Sequence, residues 1–177
     1  ILHKESVWRA TIKAINDDRD IAILEVANVS TLPLKLQSTS KEKLGGELFC
    51  VGFPLIDRLG VNAKLTKGQL NSQSGMHDDE GMFQMSTQIQ PGNSGGPVCN
   101  SDGEVIGIVS KTGSTIAGAS EGAGAVPQNV NFATKADAMI ELSKTISEIQ
   151  LPSSVPTTVQ TPEERVLEST SLMAGMN

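Results

Sequence analysis

The stretch "IQPGNSGGPVCN", residues 89 to 100, decides how the rest of the chain is read. Gly92, Gly95 and Gly96 surround a single serine, Ser94, and Pro97 closes the group ahead of an apolar segment. A serine hydroxyl is a weak nucleophile until a base takes its proton. The tetrahedral intermediate of acyl transfer also carries an oxyanion that aligned donors must meet. Backbone N–H groups serve as such donors if the chain curls tightly, and glycine at positive φ permits the curl. Gly92 and Ser94 stand where two N–H groups can aim into one hollow, while Gly95 and Gly96 let a substrate come close. Taken alone, the stretch reads equally well as a plain tight turn, so the decision rests on its flanks.

The bulk properties bound the answer. The chain has 177 residues, 38% apolar and 19% charged, enough to bury a core and unlike a disordered composition. The net charge of -6, with no basic run, argues against nucleic acid or an anionic membrane as the main partner. No apolar run approaches the roughly 18 residues of a membrane span. Two cysteines, Cys50 and Cys99, allow one bridge or none. No cluster has the spacing of zinc or calcium ligands, and the glycines of "GSTIAGASEGAGAV" do not open a helix as a phosphate loop would. That segment reads as a loop.

Short strands with turns fill most of the chain. In "VWRATIKAI" the residues Trp8, Ala10, Ile12 and Ala14 alternate with Arg9, Thr11 and Lys13, which predicts a strand with one buried face. "NDDRD" is a polar turn. "IAILEV" (21–26) and "GELFCVGFP" (46–54) are core-strand runs, "AKLTKGQLNS" is a more exposed strand, and "GMFQMSTQI" (81–89) leads into the glycine stretch. "EVIGIVSKT" follows it, and "AVPQNVNFAT" is a last strand. The period then changes: Ala136, Met139, Ile140, Ser143, Ile146 and Ile149 form a helical stripe, predicting a helix over about 135–149 with a capping box of Thr134 and Asp137. "LPSSVPTTVQTP" is a linker by composition, and Thr161 with Pro162 marks the start of a further helix.

With these flanks the chain resembles the trypsin-like, chymotrypsin-fold serine proteases, and among them the bacterial HtrA-like branch, over about residues 7–135. "GNSGGP" resembles the nucleophile loop, and "NDDRDIAILEV" the segment carrying the triad aspartate. "FCVGFP" resembles the opening strand of the second barrel, "GIVSKTG" the strand lining the cleft and "NVNFA" the last strand. The resemblance implies an all-β double barrel with a C-terminal helix. Residues 1–36 would be the closing strands of a first barrel incomplete in this chain, 37–133 the second barrel, 134–150 the helix, and 151–177 a linker with the start of another helix.

The resemblance further implies a serine endopeptidase without cofactor or metal, acting on protein or peptide. Ser94 would be the nucleophile, Gly92 and Ser94 the oxyanion-hole donors, and Asp20 the residue that orients the base histidine. Asp17 and Asp18 compete with Asp20, but only Asp20 directly precedes the buried run. Gln88, Ser110, Lys111, Thr112 and Val130 would line the substrate site. With no carboxylate among them, small or medium uncharged residues are expected before the cut.

Neither histidine fits the base. His3 sits at a strand edge, and His77 falls in a polar loop on the wrong side of Asp20. The expectation is a base histidine upstream of residue 1. The alternative is a protease-fold peptide-binding module without catalysis. The residues after the first helix are too few for the PDZ domain of the HtrA enzymes, although a further domain beyond the linker is compatible with the tail. Some relatives bridge the strands that carry Cys50 and Cys99, so a disulfide and two buried thiols both stay open.

Overall fold

The computed structural model describes residues 2–3, 6–28, 32–112, 129–153 and 161–169, of which 2, 3, 6, 7, 56, 57, 111 and 112 by backbone alone. Its strands are β1 (Leu2–His3), β2 (Ser6–Val7), β3 (Ala10–Asn16), β4 (Ile21–Val26), β5 (Glu47–Gly52), β6 (Lys64–Ser72), β7 (Met82–Met85), β8 (Pro97–Asn100), β9 (Val105–Thr112) and β10 (Asn131–Lys135), and its α-helices are α1 (Ile56–Leu59), α2 (Ala136–Ser143) and α3 (Pro162–Ser169). Strands β5 to β10 close a six-stranded antiparallel barrel in the order β10-β7-β6-β5-β8-β9. The remaining strands pair as two antiparallel hairpins, β1 with β2 and β3 with β4. This is the all-β, chymotrypsin-like architecture expected from the sequence.

β5 shows why an unbroken apolar run forms a strand here. Alternate side chains of a strand face opposite sides of its sheet. Leu48 and Cys50 turn into the barrel with Leu70, Phe83, Met85, Val98 and Ile106. Phe49 and Val51 turn outward into a second cluster with Cys99, Val105 and Val166. Both faces of β5 are therefore core, as its sequence requires.

The outward cluster is covered by α3 (Pro162–Ser169). An isolated helix of eight residues is marginal in water, so docking must hold it. Val166 is fully buried, worth roughly 1.5–3 kcal/mol. The first turn closes a reciprocal capping box, with Thr161 N–H donating to Glu164 Oε2 (2.8 Å) and Glu164 N–H donating to Thr161 Oγ1 (3.2 Å). Lys67 Nζ donates to Glu163 (2.7 Å), and Ser169 Oγ donates to the Leu32 carbonyl (2.7 Å). The segment joining hairpin and barrel is stitched to β9 by Val105 N–H to the Lys35 carbonyl (2.8 Å) and Gln37 N–H to the Val105 carbonyl (2.9 Å).

Three local expectations are corrected. The helix expected after the barrel, α2 (Ala136–Ser143), stops six residues short of the expected end, because Lys144, Thr145 and Ile146 close tight turns onto Glu141, Leu142 and Ser143. Thr145 also turns its hydroxyl back to the Leu142 carbonyl (2.7 Å). The Thr134–Asp137 box does not form: Thr134 belongs to β10, Lys135 is the N-cap, and Asp137 Oδ2 accepts instead from the Thr39 N–H (3.1 Å). In β3 a register shift between Ile12 and Ala14 leaves Lys13 as an extra residue, a bulge in the ladder. Ala10 and Ala14 are half-buried as the alternation predicts, but Ile12, expected on the same face, stands 59% exposed. The glycine-rich loop after β9 and the linker over 154–160 lie outside the described residues.

The two cysteines are unbridged. Their register gives the reason: Cys50 stands opposite Val98 and Cys99 opposite Phe49, one position apart on paired strands, so the two thiols point to opposite faces of the sheet. Burial disfavours the thiolate, pushing Cys50 up to about 12 and Cys99 higher still. We predict that neither thiol is alkylated by iodoacetamide at pH 8 in the folded protein and that both react in denaturant. Mass mapping of the labelled peptides checks this, and rapid labelling of native Cys50 would contradict the packed barrel.

Candidate active site

Ser94 sits between β7 and β8 in a segment built from two consecutive turns. In the first, Pro91 and Gly92 occupy the central positions, Gly92 at φ +100°, and Asn93 N–H returns to the Gln90 carbonyl (3.0 Å). Proline followed by a residue at positive φ is the signature of a type II turn. In the second, Ser94 and Gly95 are central, Gly95 at φ +82°, and Gly96 N–H returns to the Asn93 carbonyl (2.9 Å). Gly95 N–H donates to the Val109 carbonyl and Val109 N–H donates to the Gly96 carbonyl, both at 2.9 Å, which ties the loop to β9. Asn93, Gly95 and Gly96 thus use their N–H groups in holding the loop. Those of Gly92 and Ser94 donate to no group among the described residues.

Gly92 meets a second constraint. A Cβ there would lie 2.5 Å from the Phe53 carbonyl oxygen and 3.3 Å from Pro54. The opposing segment is held by Leu55 N–H donating to the Pro91 carbonyl (3.0 Å). Asn93 is buried, its amide packed against Gly52, where a Cβ would come within 2.7 Å of Oδ1. Ser94 itself is exposed.

Asp20 ends the polar turn between β3 and β4. Asn16 Oδ1 accepts the Arg19 N–H (3.1 Å), and Asp20, at φ 53° and ψ 49°, returns its own N–H to the Asp17 carbonyl (3.3 Å). Aspartate is one of the few residues that tolerate this left-handed conformation.

Two cavities flank the Ser94 loop. One, of about 420 Å³, lies between hairpin and barrel; Asp20, Ile21, Ser94, Gly95, Ser110 and Thr134 are among its walls, and Asp17 reaches it while Asp18 does not. The other, of about 340 Å³, is lined on the far side of the loop by Gly92, Asn93, Ser94, Leu34, Pro97 and Met139, among others. Gln88 and Val130 line neither cavity. Gln88 is exposed with its carbonyl accepting from Thr66 Oγ1 (2.9 Å), and Val130 is half-buried just ahead of β10. Lys111 and Thr112 lie on β9 beyond Ser110, with side chains outside the description. His77 is exposed in a short turn after β6 and lines neither cavity; His3 pairs with Ser6 in the first hairpin. Among the described residues no three His, Cys, Asp or Glu side chains gather as a metal site would require, and no helix is long and apolar enough to cross a membrane.

Sequence reasoning missed the contacts that hold Asp20 in place. Arg19 Nη1 donates to Asp79 Oδ1 (2.9 Å), and the Arg19 carbonyl accepts from Thr134 Oγ1 (3.3 Å). Asp79 and Thr134 lie 60 and 115 residues from Arg19, so no local pattern marks them.

A model of the trypsin-like peptidase domain matches residues 1–108, a span that contains both Asp20 and Ser94. Among similar proteins, uncharacterized protein y4bJ of Sinorhizobium fredii is 33% identical over 126 residues, covering 71% of this chain and 20% of that protein. A probable periplasmic serine endoprotease, DegP-like, of Chlamydia pneumoniae is 31% identical over 111 residues, 60% of this chain and 22% of its own length. Human serine protease HTRA4 is 31% identical over 112 residues, 61% of this chain and 24% of that enzyme. The chain therefore spans about a fifth to a quarter of the curated relatives it matches. With the family model covering more than half of its residues and serine proteases among its relatives, the chain belongs to the trypsin-like peptidase family.

Proposed function

We propose that this chain carries the nucleophile, the oxyanion hole and the orienting aspartate of a serine endopeptidase. The observation that carries the reading is the hydrogen-bond pattern of residues 91–96: among the described residues the N–H groups of Asn93, Gly95 and Gly96 are taken up within the loop or by β9, while those of Gly92 and Ser94 are not. Two such donors two residues apart, one of them on the exposed serine itself, suit an oxyanion.

In this reading the Ser94 hydroxyl oxygen attacks the carbonyl carbon of the scissile peptide bond, and its proton passes to a histidine base. The carbonyl π electrons move onto oxygen, and the Gly92 and Ser94 N–H groups donate hydrogen bonds to the oxyanion so formed. The intermediate collapses by breaking the C–N bond, the histidine delivers its proton to the leaving amine, and an ester remains on Ser94. Water then repeats the attack, releasing the acid product and restoring the hydroxyl. Asp20 accepts the other imidazole N–H, fixes the tautomer and stabilises the imidazolium. The cavity between Asp20 and Ser94 is where an imidazole bridging the two would sit. We propose that this histidine is neither His77, which lines neither cavity, nor His3, which pairs with Ser6 in the first hairpin, and that it comes from sequence preceding Ile1.

Ser110, on the wall shared with Asp20, would border the substrate; by the family resemblance Gln88, Lys111, Thr112 and Val130 would surround the side chain preceding the cut, with Gln88 and Val130 outside both cavities here. The substrate would be a protein or peptide with a small or medium uncharged residue at that position.

Three outcomes test the reading in the full-length protein. A serine-directed phosphonate labels Ser94, and Ser94→Ala abolishes both labelling and peptide cleavage; mass spectrometry finding no adduct in the wild type would point to a binding module without catalysis. Asp20→Asn lowers kcat by about four orders of magnitude with the fold intact, while Asp17→Asn and Asp18→Asn stay within a few-fold. Loss in the Asp17 variant instead would move the role to that residue. Gly92→Ala, which forces a side chain against the Phe53 carbonyl, lowers kcat by about 10²–10³-fold without unfolding the barrel, as circular dichroism beside steady-state kinetics would report.

A further inference from the structure

The proposed chemistry needs Asp20 and Ser94 held at a fixed separation, yet they belong to different bodies of the fold. Asp20 ends the turn of the β3–β4 hairpin, while Ser94 belongs to the barrel. Arg19, the residue before Asp20, spans the gap. Its N–H is held by Asn16 Oδ1 within the turn (3.1 Å), and its carbonyl accepts from Thr134 Oγ1 on β10 (3.3 Å). Its guanidinium reaches across to Asp79 Oδ1 (2.9 Å).

The receiving side is itself built. Asp79 Oδ1 also accepts the Gly81 N–H (2.8 Å), and the Asp79 carbonyl accepts from Gly75 (2.8 Å). The Gly81 carbonyl in turn accepts from Lys135 at the end of β10 (3.0 Å). The guanidinium lies directly on Gly81, where a Cβ would fall 1.9 Å from Nη1 and 2.2 Å from Cζ. Glycine at 81 therefore makes room for the arginine. The planar, multi-donor head suits a lock between two surfaces better than a lysine ammonium would.

We propose that Arg19 is a positioning residue: the Arg19–Asp79 clasp over Gly81 sets where Asp20 stands relative to Ser94. This rests on the reading of Asp20 and Ser94 given above. Both partners of the clasp are more than a third exposed, at 38% and 39%, and exposed pairs contribute little to global stability. Its effect is therefore expected in rate. Displacing a catalytic group by about an ångström costs up to about a hundredfold in rate. Because Asp20 touches the base and not the substrate, the loss falls on kcat and spares KM.

The test is steady-state kinetics of the full-length protein carrying Arg19→Ala, Asp79→Ala, their double variant, Arg19→Lys and Gly81→Ala, with melting temperatures measured in parallel. Arg19→Ala and Asp79→Ala should each lower kcat about ten- to a hundredfold, with KM and melting temperature nearly unchanged. The double variant should be no worse than either single one, since both remove the same contact. Arg19→Lys should recover part of the loss, and Gly81→Ala, which keeps both charges but evicts the guanidinium, should reproduce it. If Asp20→Asn abolishes activity while Arg19→Ala and Asp79→Ala keep kcat within about twofold of wild type, the clasp has no positioning role and the site reading stands. A fall in kcat that tracks melting temperature, or a rise in KM, would equally overturn positioning. If Asp20→Asn and Ser94→Ala themselves retain full activity, the site reading fails first.

Discussion

Two hydrogen bonds between the Ser94 loop and β9 organise the site. Gly95 N–H donates to the Val109 carbonyl and Val109 N–H to the Gly96 carbonyl. They bind a loop that would otherwise be a mobile pair of turns to the wall of a closed barrel. The residue after Val109 is Ser110, which borders the interlobe cavity. The same pair of bonds therefore fixes the Ser94 loop and one wall of that cavity to each other. Because the barrel has no open edge, β9 has little freedom to move.

The backbone conformation of the loop follows from this attachment. With Gly95 and Gly96 committed to β9 and Asn93 to Gln90, the geometry closes only if residues 92 and 95 take positive φ. Glycine does so without strain. Among the described residues the N–H groups of Gly92 and Ser94 find no acceptor, and in a buried loop unpaired donors are costly. At a rim that faces a cavity they are available to a ligand. Pre-set donors of this kind need no reorganisation when charge develops, which is the physical basis of oxyanion stabilisation.

The helices serve the same frame from outside. α3 covers the outward side chains of β5, β8 and β9 through Val166, and its last residue bonds the segment that connects hairpin to barrel. Glu104, next to that segment, is pushed up by burial but held below the usual carboxylate range by hydrogen bonds from Lys35 and Asn100. Its charged form thus ties the connecting segment to the end of β8.

Much of this was legible in the residues. Proline followed by glycine at 91 and 92, and a serine among glycines, encode the turns because only a few backbone conformations are open to those residues. The unbroken apolar run of β5 encodes a strand buried on both faces, and Thr161, Pro162 and Glu164 encode a helix start by local hydrogen bonding alone. What tertiary structure decided are matters of register and of distance along the chain. Cys50 and Cys99 end on opposite faces because pairing is offset by one residue, and no sequence pattern states a register. Thr134 became a strand residue reaching toward Arg19, and Asp137 turned to Thr39, because partners far away in sequence outcompeted the local cap. The Arg19–Asp79 contact joins residues whose proximity exists only once hairpin and barrel have docked. Local chemistry sets what a short stretch can do, and the closure of the barrel determines which distant groups it meets.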